Sequence, residues 1–120
     1  MPVRFLVVDD YEVVRVGLRT ALEKQDDWRV CGEAADGESA LQKLSVLAPN
    51  VVILDLNLPG LPGTETAKRI RQIAPSTKII LFSMHNVPSV AHSVGADAFV
   101  PKADGLPALY RAIERVITRG

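Results

Sequence analysis

The chain has 120 residues, 48% of them hydrophobic and 5% aromatic, which is the size of one domain with an aliphatic core. Its 14 Lys and Arg balance 14 Asp and Glu, which argues against the strongly basic surface of a nucleic-acid-binding domain. The apolar runs are too short to span a bilayer, and the start at residues 1–4 has no signal-peptide pattern. We therefore expect a cytoplasmic protein that contacts neither membranes nor nucleic acid directly.

Strand-like and helix-like segments alternate along the chain. Short apolar runs are typical of buried parallel strands, and they predict strands near 3–9, 29–34, 50–55, 77–83 and 97–101. Apolar residues at helical spacing predict helices over 12–25, 37–48, 63–74 and 106–118. Asp36 and Asp104 are candidate N-caps of the second and the last of these helices, and Pro107 fits the first turn of the last.

Five such β-α units predict a parallel sheet with right-handed crossovers and helices on both faces. The first, third and fourth strands are the most continuously apolar, so we place them in the centre. The second carries Arg29 and Glu33, and the fifth carries Pro101, which cannot donate to a strand ladder. The predicted order is 2-1-3-4-5, that of a flavodoxin-like (βα)5 sandwich, formed by a single domain over residues 1–120.

Polar side chains follow four of the apolar runs. Asp9 and Asp10 come after the first strand, Asp55 after the third, Ser83 after the fourth and Lys102 after the fifth. Because ligands of open α/β sheets bind at the carboxyl ends of the strands, we expect these groups to meet at one edge. Three carboxylates repel one another, and Mg²⁺, which prefers oxygen ligands, would offset that repulsion.

The same constellation suits phosphoryl chemistry. A carboxylate can attack phosphorus to give an aspartyl phosphate, and a metal ion and a lysine can offset the charge of the transition state. Asp55 is the best candidate nucleophile, because its strand is central and its neighbours can hold the metal. Each residue alone could instead be a strand-end cap or turn former, but that interpretation leaves three carboxylates and Lys102 together unexplained.

The order of these motifs resembles the receiver domain of two-component response regulators, over essentially the whole chain. The start of the first helix and the Ser83–His85 segment are most similar to the NarL/LuxR subfamily. The segments that carry the resemblance are Leu6–Asp10, Leu54–Gly60, Ser83–His85, Gly95–Phe99 and Lys102.

The resemblance implies a role for each residue of the site. Asp55 would accept the phosphoryl group, which Lys102 and Ser83 would contact. Ser83 and Phe99 would form the switch pair, although Phe99 as an ordinary core residue is an equal alternative. Mg²⁺ would be held by Asp10 and Asp55 directly, by the backbone carbonyl of Asn57, and by Asp9 through water. Pro59, Gly60 and Gly63 match the loop after the phosphorylation site, where glycine permits unusual dihedral angles.

The resemblance also implies a function and partners. The chain would be a phosphorylation-dependent switch rather than an enzyme, with at most self-phosphorylation from small donors and autodephosphorylation. A sensor histidine kinase would dock on Val14, Arg15 and Leu18 of the first helix and on the loop after Lys102. A C-terminal helix-turn-helix domain would regulate transcription in a longer protein, and phosphorylation would favour a homodimer.

Two alternatives stay open at this point. One is an aspartyl-phosphate phosphatase or phosphotransferase, although Asn57 stands where such enzymes usually carry a second acid. The other is a degenerate receiver that only binds other proteins.

Two departures from the family pattern lead to structural expectations. The stretch from Ser83 to Lys102 is about three residues short, close to one helical turn, so we predict a fourth helix of about two turns. Ala103 follows Lys102 where receivers commonly have proline, so we expect a trans peptide bond there. The single cysteine, Cys31, is expected to be a small buried core residue.

Overall fold

The computed structural model describes residues 2–118. Its five strands are β1 (Val3–Val8), β2 (Trp28–Ala34), β3 (Val51–Leu54), β4 (Lys78–Ser83) and β5 (Ala98–Pro101). They form one parallel sheet in the order β2-β1-β3-β4-β5, which confirms the predicted topology.

The helices are α1 (Glu12–Leu22), α2 (Gly37–Leu47), α3 (Gly63–Ile73), α4 (Ser89–Val94) and α5 (Gly105–Thr118). Helix α1 ends earlier than predicted, because two turns closed by Gln25 N–H to Leu22 and Trp28 N–H to Gln25 lead the chain into β2. None of the helices within residues 2–118 is long and apolar enough to cross a membrane.

The two predicted helix caps have different outcomes. Asp36 caps α2 as predicted, since its Oδ1 accepts a hydrogen bond of 2.7 Å from the Ser39 N–H. Asp104 does not precede α5 as an extended cap residue. It ends a 3-10 turn over Lys102–Asp104 that runs directly into the helix at Gly105, so the prediction for Asp104 is wrong.

The sheet separates two apolar layers, because alternate strand residues face opposite sides. Phe5 and Val7 pack with α1 and α5, whereas Leu6 and Val8 pack with α2, α3 and α4. Burial on both faces explains why the central strands are continuously apolar. Because apolar layers cover both faces of the sheet, the polar site residues lie at the ends of the strands.

Helix α4 is short, as predicted, with six residues. It ends at Gly95, whose φ of +77° is in the left-handed region that glycine adopts readily. Arg71 of α3 holds this end: its Nε donates to the Gly95 carbonyl at 2.9 Å and its Nη2 contacts Asp97 Oδ2 at 2.6 Å.

Cys31 is only partly buried, so the expectation of a buried core residue is wrong. The register between β1 and β2 shifts by one residue there: Phe5 pairs with Val30 and Leu6 with Gly32, which leaves Cys31 without a partner in the ladder. Its thiol donates instead to the Phe5 carbonyl at 3.3 Å, and burial raises the pKa of the thiol. The peptide bonds of the described chain are all trans, Lys102–Ala103 included, as expected.

Candidate functional site

Two of the predicted site carboxylates stand at the carboxyl ends of neighbouring central strands. Asp9 and Asp55 directly follow β1 and β3, and one further hydrogen bond on each extends the sheet: Asp9 N–H to Ala34 and Asp55 N–H to Val8, both 3.0 Å. Both side chains are buried, since Asp9 is 2% and Asp55 5% exposed. Burial of two neighbouring carboxylates is costly unless cations accompany them.

Asp10 completes an acidic cluster. Asp9, Asp10 and Asp55 each offer a carboxylate oxygen, and these oxygens lie within 4.8 Å of one another. Asp10 is exposed while the other two are buried, so the cluster opens to solvent on the Asp10 side. Carboxylate oxygens with access for water suit Mg²⁺, which keeps several waters when bound.

Lys102 reaches the cluster from the far side of the sheet. It follows the edge strand β5, and its Nζ lies 2.7 Å from Asp9 Oδ2 and 3.4 Å from Asp55 Oδ2. Burial alone would lower the pKa of Lys102, but the hydrogen bond to Asp9 and the charges of Asp55 and Asp9 raise it above its usual value. The site therefore pairs two buried carboxylates with one fixed ammonium.

The carboxylate of Asp55 is held on both oxygens. Oδ1 accepts the Asn57 N–H at 3.2 Å, and Oδ2 faces Lys102. Burial raises the pKa of Asp55, and the Asn57 hydrogen bond and the Lys102 charge offset this only in part.

The loop after Asp55 depends on two glycines for different reasons. Gly60 has a φ of +73°, as expected for glycine in this loop, whereas Gly63 has no positive φ. A Cβ on Gly63 would lie 2.5 Å from both the Asp55 carbonyl oxygen and the Leu56 Cα. Gly63 is therefore required for the close approach of α3 to the site, and the expectation of unusual dihedral angles holds only for Gly60.

The two predicted switch residues lie near the same edge. Ser83 ends β4, is fully buried, and its Oγ accepts the His85 N–H at 3.1 Å. Phe99 on β5 is partly buried and packs against the core layer that includes Leu81 and Val94. Burial of this kind fits a core aromatic as well as a switch residue, so the role of Phe99 stays a prediction.

Sequence reasoning missed two contacts of the site. Arg15 of α1 donates from Nη1 to the Asp9 carbonyl at 2.7 Å, and the Asn57 amide nitrogen lies 3.4 Å from His85 Nε2. Asn57 and His85 each stand two residues after a polar strand-end residue, which is a signal that could have paired them. No comparable pattern marks Arg15.

The expected kinase-facing surface of α1 needs correction. Leu18 is 4% exposed and belongs to the core, and Arg15 turns toward Asp9. The apolar residues that α1 and its entry present to solvent are instead Tyr11, Val13 and Val16, which are 64%, 78% and 52% exposed.

Comparison with known proteins identifies the family. Residues 5–114 match the family model of the response regulator receiver domain. This chain belongs to that family. The match spans all five strands from Phe5 onward and includes every residue of the site described above, so the receiver's carboxyl edge lies wholly within the matched region.

Among curated proteins, the receiver is 34% identical over 118 residues to the nitrate/nitrite response regulator protein NarL of Escherichia coli, covering 92% of this chain and 55% of that protein. It is 36% identical over 115 residues to the transcriptional activator protein ExaE of Pseudomonas putida, with 93% and 54% covered. The receiver thus spans about half the length of the curated relatives it matches.

Among solved structures, the receiver resembles a LuxR-family two-component response regulator from an Aurantimonas species. The TM-score is 0.90 at 34% identity, and the alignment covers 98% of this chain and 86% of that one. The receiver is therefore of the NarL/LuxR type of two-component response regulators, as the sequence predicted.

Proposed function

We propose that this receiver accepts a phosphoryl group on Asp55 and thereby switches the output of a transcriptional regulator. One observation supports this most strongly. The Asp55 carboxylate is 5% exposed, shares an acidic cluster with Asp9 and Asp10, and lies 3.4 Å from the Lys102 ammonium. A nucleophilic carboxylate, ligands for a divalent ion and a fixed cation are the parts that phosphoryl transfer to a carboxylate needs.

In the proposed step, an Asp55 carboxylate oxygen attacks the phosphorus of a phosphohistidine on the donor kinase. The O–P bond forms as the N–P bond breaks, and the histidine nitrogen keeps the electron pair and takes up a proton. The Lys102 ammonium lies 3.4 Å from Asp55 Oδ2, which is close enough for it to bind an oxygen of the phosphoryl group on Asp55. The product is an acyl phosphate on Asp55.

The donor set fits Mg²⁺, which when bound would offset negative charge on the phosphoryl oxygens. Asp10 and Asp55 would bind it directly, together with the Asn57 backbone carbonyl. Asp9 has both oxygens engaged, Oδ1 by the Tyr11 N–H at 2.9 Å and Oδ2 by Lys102 at 2.7 Å. This favours a contact of Asp9 through water rather than directly.

Signal output would start at Ser83. Its Oγ accepts a hydrogen bond from His85, which leaves the hydroxyl hydrogen free to turn toward a phosphoryl oxygen on Asp55. A movement of Ser83 toward that oxygen would pull on the residues between β4 and α4, which are exposed from Met84 to Pro88. Phe99, partly buried on the adjacent strand, would follow, so the edge around β4, β5 and α5 would change its partners.

The partners of this switch would be a sensor histidine kinase and an output domain. The exposed apolar side chains of Tyr11, Val13 and Val16 lie close in sequence to Asp10, which favours α1 and its entry as the kinase contact. The relatives are about twice the length of the receiver, and one is a transcriptional activator. We further propose that a helix-turn-helix domain follows the receiver, that the phosphorylated form is a homodimer, and that the protein is cytoplasmic.

The test is phosphorylation by a small donor. The receiver is incubated with Mg²⁺ and acetyl phosphate, and intact mass is followed for wild type, D55N and D104N. Asp104 is an exposed carboxylate of the 3-10 turn before α5, so D104N is the matched control. We expect a phosphate increment in wild type and D104N but not in D55N. An unmodified wild type, or a D55N variant modified to the same extent, contradicts the proposal.

A further inference from the structure

The strongest unassigned feature lies beside the acidic cluster, on α1 and β2. The Arg15 side chain is only 16% exposed, and its Nη1 donates to the Asp9 carbonyl at 2.7 Å. Its Nε donates to Glu33 Oε1 at 3.1 Å, and the other oxygen of Glu33 accepts from Arg19 Nε at 2.9 Å. These three side chains, here called the arginine–glutamate cluster, join α1 and β2 to the segment that leaves β1.

Glu33 offsets one of the two positive charges of this cluster. Burial alone would raise the pKa of Glu33, but the hydrogen bonds and charges of Arg19 and Arg15 lower it overall, so the carboxylate is ionised at neutral pH. Glu33 pairs with both arginines, and Arg19 also lies 3.7 Å from the Glu23 carboxylate, so two carboxylates face the two guanidinium groups. Arg15 therefore holds the Asp9 backbone with little net positive charge, whereas the Lys102 ammonium binds the Asp9 carboxylate itself and competes with a metal ion.

The bond from Arg15 fixes one peptide unit of the site. The Asp9 carbonyl and the Asp10 N–H belong to the same planar peptide, so holding the carbonyl sets the direction of the backbone at Asp10. The other backbone group of Asp9, its N–H, is already fixed to Ala34 at 3.0 Å. Within residues 2–118, the Asp10 carboxylate accepts no hydrogen bond, so its position depends on the backbone, which sets the direction of the Cα–Cβ bond, and on the side-chain rotamer.

We infer that Arg15 is a positioning residue for the divalent ion: by fixing the Asp9–Asp10 peptide, it directs the Asp10 carboxylate toward those of Asp9 and Asp55. This inference rests on the proposed function, which assigns the metal to these carboxylates. It also gives Glu33 a function. By accepting the hydrogen bond from Arg15 Nε, Glu33 orients the guanidinium whose Nη1 binds the Asp9 carbonyl. Such outer-shell contacts commonly set metal affinity by orienting the ligands themselves.

Arg19 offers a matched control for the test. It contacts the same Glu33 carboxylate, and its Nη1 donates to the Val30 carbonyl at 3.1 Å, but it has no contact with Asp9. The Mg²⁺ dissociation constants of wild type, R15M and R19M are measured by titration, following the amide NMR shifts of residues 9–11 and 55–57. The free energy of unfolding in urea is measured in parallel without Mg²⁺.

We expect R15M to bind Mg²⁺ about 10-fold more weakly than wild type, and R19M to change affinity less than about 2-fold. Both variants should lose folding stability, because each removes an ion pair to Glu33. The Mg²⁺ affinity therefore distinguishes a positioning role of Arg15 from a purely structural one, because only the positioning role predicts a larger loss in R15M than in R19M. In R15M without metal, the Asp10 amide shift should also move, because the peptide it shares with Asp9 is released.

A second variant keeps the inference testable if R15M does not fold. The R15K variant keeps the positive charge but loses the planar guanidinium that binds Glu33 and Asp9 at the same time. We therefore expect its Mg²⁺ affinity to lie between those of R15M and wild type. Wild-type affinity in R15M, or an equal loss in R15M and R19M, overturns this inference and leaves the proposed function standing. A wild-type receiver that binds no Mg²⁺ overturns both.

Discussion

Replacing Gly63 by Ala tests how closely α3 must approach the site. The new Cβ would lie 2.5 Å from the Asp55 carbonyl oxygen, 2.5 Å from the Leu56 Cα and 2.7 Å from the Leu56 carbonyl oxygen. These are backbone atoms, so no side-chain rotation relieves the overlap. Restoring ordinary contact at about 3.4 Å would move α3 by roughly 1 Å from the Asp55–Leu56 segment, and overpacking of this kind costs about 1–3 kcal/mol.

The assay for Gly63→Ala is urea unfolding, with Gly17→Ala as the control. Gly17 lies within α1, and a Cβ there meets nothing within 4 Å. Alanine at that position should stabilise the receiver by about 0.8–1.0 kcal/mol, because glycine is the poorer helix former. We expect opposite signs for the two variants. A Gly63→Ala variant within about 0.5 kcal/mol of wild type would refute the close-approach argument, since that is the range of neutral surface changes.

Three further predictions address the charges around the site. In Lys102→Met, the ammonium no longer competes for the carboxylates, so Mg²⁺ should bind more tightly in an NMR titration. Phosphorylation by acetyl phosphate should nevertheless slow by about 100-fold or more, the usual effect of losing one such charge contact; an unchanged rate would count against the role of Lys102. The two arginine partners lower the pKa of Glu33 despite its burial. The ionised Glu33 therefore contributes its full stabilisation above the pKa it has in the unfolded chain, and this contribution is lost as the pH falls through the lower pKa of the folded state. Glu33→Gln should therefore flatten the acid limb of the stability curve, and parallel curves for the two proteins would contradict this. Arg71→Met should lower the free energy of unfolding in urea by about 2 kcal/mol and speed amide exchange across α4, because it leaves Asp97 without its cation. Arg69→Met removes only an exposed i,i+4 ion pair and should lower the free energy of unfolding by less than about 0.5 kcal/mol. Equal costs for the two arginines would show that Arg71 does not anchor α4.

The sequence predicts most of this fold because burial leaves a readable pattern. Central parallel strands are apolar on both faces, so β1, β3 and β4 stand out as continuous runs, and their ends locate Asp9, Asp55 and Ser83 at one edge. The short α4 is likewise predictable, because the stretch from Ser83 to Lys102 is about three residues shorter than in the receiver family that the sequence resembles.

Other features depend on contacts that no local pattern encodes. Arg15 and Glu33 lie 18 positions apart on different elements, and helical periodicity does not reveal that Arg15 bends toward Asp9. Cys31 is displaced by a one-residue shift in the register between β1 and β2, which no residue pattern within β2 signals. The need for glycine at position 63 likewise arises from α3 approaching another segment, not from its own dihedral angles.

The location of the phosphoryl group tests the central claim most directly. The receiver is phosphorylated with acetyl phosphate and Mg²⁺, the acyl phosphate is reduced with borohydride, and the altered residue is located by peptide mass spectrometry. We predict reduction at Asp55 alone, since it is the carboxylate held between Asn57 and Lys102. Reduction at Asp10, or a phosphoryl group resistant to borohydride on Ser83 or His85, would contradict the account.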